Sequence, residues 1–134
     1  MSWAREDYSA AGRQTPFKIS LHLPTLCHPD GVDWDTAKDA LGYPNWKYED
    51  MYAARSDSGP LGRPSPLTAE EEARLRETSI VGTPTEVADR IREYADAAGG
   101  DLHMIARSYL PSLTAQERAT AVQALGSVNG LLNN

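Results

Sequence analysis

The sequence predicts an α/β fold built around a parallel sheet, and three observations carry that prediction. First, T-x-x-E occurs three times, as Thr68-Ala69-Glu70-Glu71, Thr83-Pro84-Thr85-Glu86 and Thr114-Ala115-Gln116-Glu117. In such a box the Thr hydroxyl accepts from the N3 amide and the Glu carboxylate reaches back to the cap amide, so each marks the start of a helix. Second, Phe17, Ile19, Leu21 and Leu23 alternate with Lys18, Ser20 and His22, and a period of two means a strand with one apolar and one polar face. Third, the middle box opens an amphipathic helix, which is followed by a Gly-Gly stop, a short apolar run and the last box. The resulting order, strand, helix, strand, helix, is that of a parallel sheet covered by helices.

The elements follow in order. Residues 1–16 form a polar lead-in containing Gly12 and Pro16, expected to be a frayed helix or tail. The strand of Phe17 to Leu23 comes next, and Pro24 is expected to end its regular part. Asp33 caps a short helix carrying Trp34, Ala37 and Leu41 at helical spacing, which Gly42 and Pro44 are expected to break. Asn45 then caps a second helix with Trp46, Tyr48, Met51 and Tyr52. Residues 17–55 thus read as a strand plus an irregular helical insertion. Ser56 to Leu67 hold Gly59, Pro60, Gly62, Pro64 and Pro66 and read as a long loop.

Residues 68–134 form the βαβα-type unit. Its helices start at 69, 84 and 115. Pro84 stands at the first helical position, where its missing N–H costs nothing. Val87, Ile91, Tyr94 and Ala98 make one apolar stripe, and Gly99-Gly100 stops the helix. Ile80-Val81 is a short strand-like entry. Leu102-His103-Met104-Ile105-Ala106 reads as a buried parallel strand, and Ala121, Val122, Leu125 and Val128 as the buried stripe of the last helix.

Length and composition bound the function. A chain of 134 residues suits one domain, and 19 acidic against 13 basic residues give a formal charge of −6. Such a surface repels phosphate backbones, which argues against nucleic acid as a partner. The apolar fraction of 40% and the mean hydropathy of −0.51 are modest, and no apolar run approaches the ~20 residues that span a bilayer. The charged N-terminus does not resemble a signal peptide. Cys27 is the single cysteine, so an internal disulfide and a CxxC metal site are both ruled out. The expectation is a bacterial-type cytoplasmic protein without a membrane partner.

Three segments carry a resemblance. They are Asn45-Trp46-Lys47-Tyr48-Glu49-Asp50-Met51, then Ile80-Val81-Gly82-Thr83-Pro84-Thr85-Glu86-Val87-Ala88-Asp89-Arg90-Ile91, then Leu102-His103-Met104-Ile105-Ala106-Arg107-Ser108-Tyr109-Leu110-Pro111. In order and spacing they resemble the C-terminal region of the luciferase-like (bacterial luciferase family) flavin-dependent monooxygenases, and the resemblance covers the chain from about Phe17. It implies the C-terminal portion of a (β/α)8 TIM barrel, incomplete, with parallel strands, making 1–134 a single partial domain. It also implies FMN or F420 as cofactor and an oxidoreductase activity that this portion would not complete on its own. A barrel missing most of its strands has open edges, so the candidate partners are a second copy, forming a homo-oligomer, and a complementing barrel chain.

In that reading the C-terminal ends of the strands are the binding rim. His22 and His28 on the first strand and its exit, and Arg107 and Tyr109 after the last one, are the candidate substrate or cofactor pocket. Arg107 offers a permanent charge and a bidentate fork for an anionic group; a structural ion pair is the alternative. His22, Cys27 and His28 are zinc-ligand types, but their spacing matches no standard motif, and no metal is expected. Trp46, Tyr48 and Tyr52 suit either a stacking surface or helix packing. Gly82-Thr83 precedes a helix N-terminus, yet Thr83 is committed as a cap, which makes a structural role the expectation. No catalytic residue is assigned.

Overall fold

The computed structural model describes residues 2–56, 59–62, 64 and 66–133; of the predicted loop, Asp57, Ser58, Arg63 and Ser65 lie outside the described residues. The elements run α1 (Ser2–Ala10), β1 (Ile19–Cys27), α2 (Trp34–Ala53), α3 (Ala69–Glu77), β2 (Ile80–Gly82), α4 (Pro84–Ala97), β3 (Leu102–Arg107) and α5 (Ala115–Leu132). The fold is α/β. The three strands form an open parallel sheet in the order β2-β1-β3, so β1 is central. β2 and β3 do not pair with each other.

The helix starts fall where the boxes predict. In all three, the Thr hydroxyl takes the N3 amide and the N3 glutamate takes the cap amide. The Thr83 amide donates to Glu86 Oε2 at 2.7 Å, for example. At the other end of α4, Gly99 and Gly100 adopt φ of +73° and +85°. Their amides donate to Asp96 and Ala95 carbonyls at 3.0 and 2.8 Å, a double closure that needs a left-handed residue after the helix. Arg5 of α1 lies over this turn, donating to the Ala98 carbonyl and, at 2.7 Å, to Asp101.

Two apolar clusters flank the sheet. Leu23 and Cys27 of β1, with Ile80 of β2, pack under Val87, Ala88 and Ile91 of α4 and Ala124 and Val128 of α5. On the opposite face, Leu26 and Val81 pack with Ala37, Ala40 and Leu41 of α2, Leu75 of α3 and Leu110 after β3. In a strand the side chains alternate between faces, so Leu26 and Cys27 necessarily belong to different clusters.

Four expectations are corrected. β1 does not stop at Pro24 but runs to Cys27. The Ile19 amide donates to the Asp101 carbonyl, so odd residues of β1 turn their backbone groups toward β3 and even ones toward the other edge. On that other edge β2 begins only opposite Thr25, so the N–H that Pro24 lacks has no ladder partner to lose. Likewise, α2 is one helix through Gly42 and Pro44, and Asn45 is interior to it rather than a cap. Pro44 removes one helical bond, but Ala37, Ala40 and Leu41 are buried before it. After it, Trp46 packs on Tyr43 with ring centroids 5.2 Å apart, so side-chain contact bridges the break. β3 is parallel as expected, but it is an edge strand with no fully buried residue. Finally, Val122 is 56% exposed, because the buried stripe of α5 runs through Ala121, Ala124 and Val128.

Within the loop of residues 56–67, the Leu61 amide donates to Asp50 Oδ1 at 2.9 Å and Leu67 packs on the second cluster. Among the described residues, no helix is long and apolar enough to cross a membrane.

Candidate functional site

The register of β1 and β3 decides which candidate residues meet. His22 stands across from Ile105 and Pro24 across from Arg107. Paired residues of neighbouring strands point to the same side, so Ser20, His22 and Pro24 share one face with His103, Ile105 and Arg107. His22 and Arg107 are therefore diagonal neighbours on one sheet face. Neither belongs to the packed clusters, and both are exposed. Over this half of the sheet the face is bare, whereas the opposite face of the same strands contributes Leu21, Leu23 and Met104 to the core beneath α4 and α5.

Arg107 makes no hydrogen bond, ion pair or ring contact among the described residues, whereas Arg5, Arg90, Arg92 and Lys38 are each salt-bridged. The structural ion pair weighed for Arg107 is thus not formed within the described residues. Leu110, 1% exposed in the second cluster, anchors the segment after β3 and leaves Tyr109 pointing outward at 77% exposure. His28 is placed differently. Its amide donates to the Gly82 carbonyl at 3.0 Å, and its Nδ1 accepts from the Asp30 amide at 3.2 Å. It lines a hollow of about 270 Å³ at the strand end, with Leu26, Asp33, Leu113 and Glu117. None of the other three candidates lines that hollow.

The other sequence constellations resolve as follows. Cys27 is fully buried on the α4/α5 side, on the face opposite His22, and burial pushes its thiol pKa up. Among the described residues no group of three or more His, Cys, Asp or Glu side chains is arranged to hold a metal ion. The N-terminus of α4 is filled by its own cap. Glu86 accepts from the Thr83 amide, which holds its carboxyl below the usual range, and a Cβ on Gly82 would lie 2.7 Å from Glu86 Oε2. A phosphate there would meet a carboxylate. Tyr48 and Tyr52 are exposed, and the buried Trp46 Nε1 has no hydrogen-bond partner among the described residues.

Sequence reading missed a groove of about 500 Å³ along the free edge of β2, between Trp34, Arg76 and the polar face of α4. Most of its charges are already engaged. Arg76 stacks over Trp34 at 4.6 Å, Trp34 Nε1 donates to Glu72 at 2.6 Å, and Arg90 pairs with Glu93. The only sequence signal was the spacing of Glu86, Asp89, Arg90 and Glu93 on one helix, which a solvated face produces equally well.

No protein-family model matches this chain, and neither a search of curated proteins nor one of solved structures finds a match.

Proposed function

We propose that the chain is the C-terminal end of a luciferase-like flavin-dependent oxidoreductase barrel, with β1 and β3 as neighbouring barrel strands and their bare face turned inward. One observation carries this reading. Along Ser20 to Pro24 the parallel pair is covered among the described residues by α4 and α5 on one side only, α2 reaching the other side at Leu26, and the uncovered stretch bears His22 and Arg107 on adjacent strands. Parallel sheets are normally covered on both faces unless they close into a barrel, whose wall has helices outside and side chains inside. In this arrangement β2 is an accessory strand on the other edge of β1.

The bare face suits an anionic ring-bearing ligand such as FMN or F420. Arg107 is a permanent cation with no partner among the described residues, His22 and Ser20 offer polar contacts, and Ile105 and Pro24 offer apolar ones. When bound, the flavin supplies the redox chemistry. Arg107 would hold the anionic part of the cofactor or substrate and His22 would line the pocket; neither is given a proton-transfer role. Monooxygenation is the reaction class the resemblance implies, with a complementing barrel chain supplying the remaining wall.

The test is a fluorescence titration of the purified chain with FMN and with F420, alone and with a chain carrying the remaining strands. Saturable binding that Arg107→Ala weakens is the expected result. Absence of binding in every arm would remove the cofactor assignment. A non-enzymatic association module is the second reading, favoured by the free edge of β3.

A further inference from the structure

The outer edge of β3 is unpaired among the described residues. Register decides which backbone groups it presents. The Asp101 carbonyl accepts from Ile19, and Leu21 and Leu23 stand across from Met104 and Ala106. In a parallel ladder each residue bonds to the two that flank its opposite number. Residues 101, 103, 105 and 107 therefore turn their backbone groups inward to β1. Leu102, Met104 and Ala106 turn theirs outward, and no strand among the described residues pairs with them.

Inside its charged ends this edge lacks the residues that normally blunt one. Between Asp101 and Arg107 it carries no charge in Lys, Arg, Asp or Glu, no proline and no glycine. The β2 edge, by contrast, is three residues long and opens into the salt-bridged groove.

We infer that two copies of this chain associate by antiparallel pairing of β3 about a two-fold axis through Met104. That centre satisfies the requirements of hydrogen bonding and charge, and the facing follows from the pairing. Met104 faces its own counterpart and Leu102 faces the partner's Ala106, so the outward residues become the hydrogen-bonded pairs of an antiparallel ladder. Pairs so related share a face, which keeps α4 and α5 of both copies on one side of a continuous sheet. Asp101 then lies opposite the partner's Arg107, twice by symmetry, at non-hydrogen-bonded positions where side chains approach most closely. Among the described residues Arg107 has no other partner, and the Asp101 carboxylate is engaged only through one oxygen, by Arg5 at 2.7 Å. The strand is thus complementary to itself in hydrogen bonding, in facing and in charge, as an isologous contact requires.

This association does not rest on flavin binding and would compete with it for both the edge and Arg107, because a completing barrel chain would use the same strand and the cofactor the same cation. The test is light scattering on the full chain across a concentration series, read without flavin. The wild type is expected at twice 14.6 kDa. Arg107→Glu, which sets two like-charged pairs across the axis, is expected to raise the dimer Kd about tenfold or more. Asp101→Lys should do the same, and mixing the two variants should restore a dimer, since each mutant end then meets its complement. Ala106→Pro removes an outward N–H that β1 does not use, and is expected to give a folded monomer by circular dichroism. A wild-type monomer at every concentration would overturn the inference. So would a dimer that withstands both Arg107→Glu and Ala106→Pro, because its interface would lie elsewhere.

Discussion

The two faces of β1 are made by the same nine residues and behave as different materials. Toward α4 and α5 the strand presents Leu21, Leu23 and Cys27, which are packed away from water. On the other side it presents Ser20 and His22, which are not, until Leu26 meets α2 near the strand's end. The contrast teaches that the stability of this fold and the chemistry proposed for it are divided between faces. Burial on one side holds the strands in register, and register sets His22 beside Arg107 on the other. Substitutions of neighbouring residues should therefore diverge sharply.

The largest effect is expected at the covered face. Leu23→Ala should destabilise the fold by about 3 kcal/mol in urea denaturation, from lost burial and the cavity left under α4. His22→Ala, one residue away on the bare face, should stay within about 0.5 kcal/mol of wild type. Equal costs for the two would mean that the bare face is packed after all. The next largest is expected at the helix ends that make the cover. Thr83→Ala deprives the Glu86 amide of its acceptor and should cost about 1 kcal/mol, again read by denaturation.

A smaller, pH-dependent effect follows from the same caps. Hydrogen bonds from Thr83 to Glu86, and from Thr114 to Glu117, hold both carboxyls below their ordinary range. A carboxylate depressed in the folded state contributes stability above its unfolded pKa and loses it as the pH falls through the folded value. Stability should thus decline as the pH drops below about 4, and Glu86→Gln with Glu117→Gln should make that acid limb shallower. A limb of unchanged slope would place the acid-sensitive groups elsewhere. The smallest stability effect is expected for Arg107→Ala, because Arg107 has no partner among the described residues of its own chain, and the change should act on flavin affinity and dimerisation alone.

Local chemistry made part of this legible. A T-x-x-E box acts within one turn, so Thr68, Thr83 and Thr114 announced their helices without reference to anything distant. Alternation along Ile19 to Leu23 likewise revealed which side chains face the core. Pro24 and Pro44 were read as terminators because a proline's local cost is real. Whether that cost is met depends on partners far away in sequence: β2 beginning just past Pro24, and packed side chains on both sides of Pro44. The edge position of β3 was equally invisible, since an apolar run of its length fits a central strand or a partly exposed one.

By itself, then, the sequence determined the helix starts capped by Asp33, Thr68, Thr83 and Thr114, the Gly99-Gly100 stop, the α/β class and the polar face of β1, all consequences of spacing over a few residues. Only the tertiary structure decided that β3 pairs with β1 rather than β2, that Arg107 has no partner among the described residues while His28 lines a separate hollow, and that no strand among the described residues pairs with the outward groups of β3. Those depend on which backbone lies beside which, a matter of long-range register that periodicity within one strand does not encode.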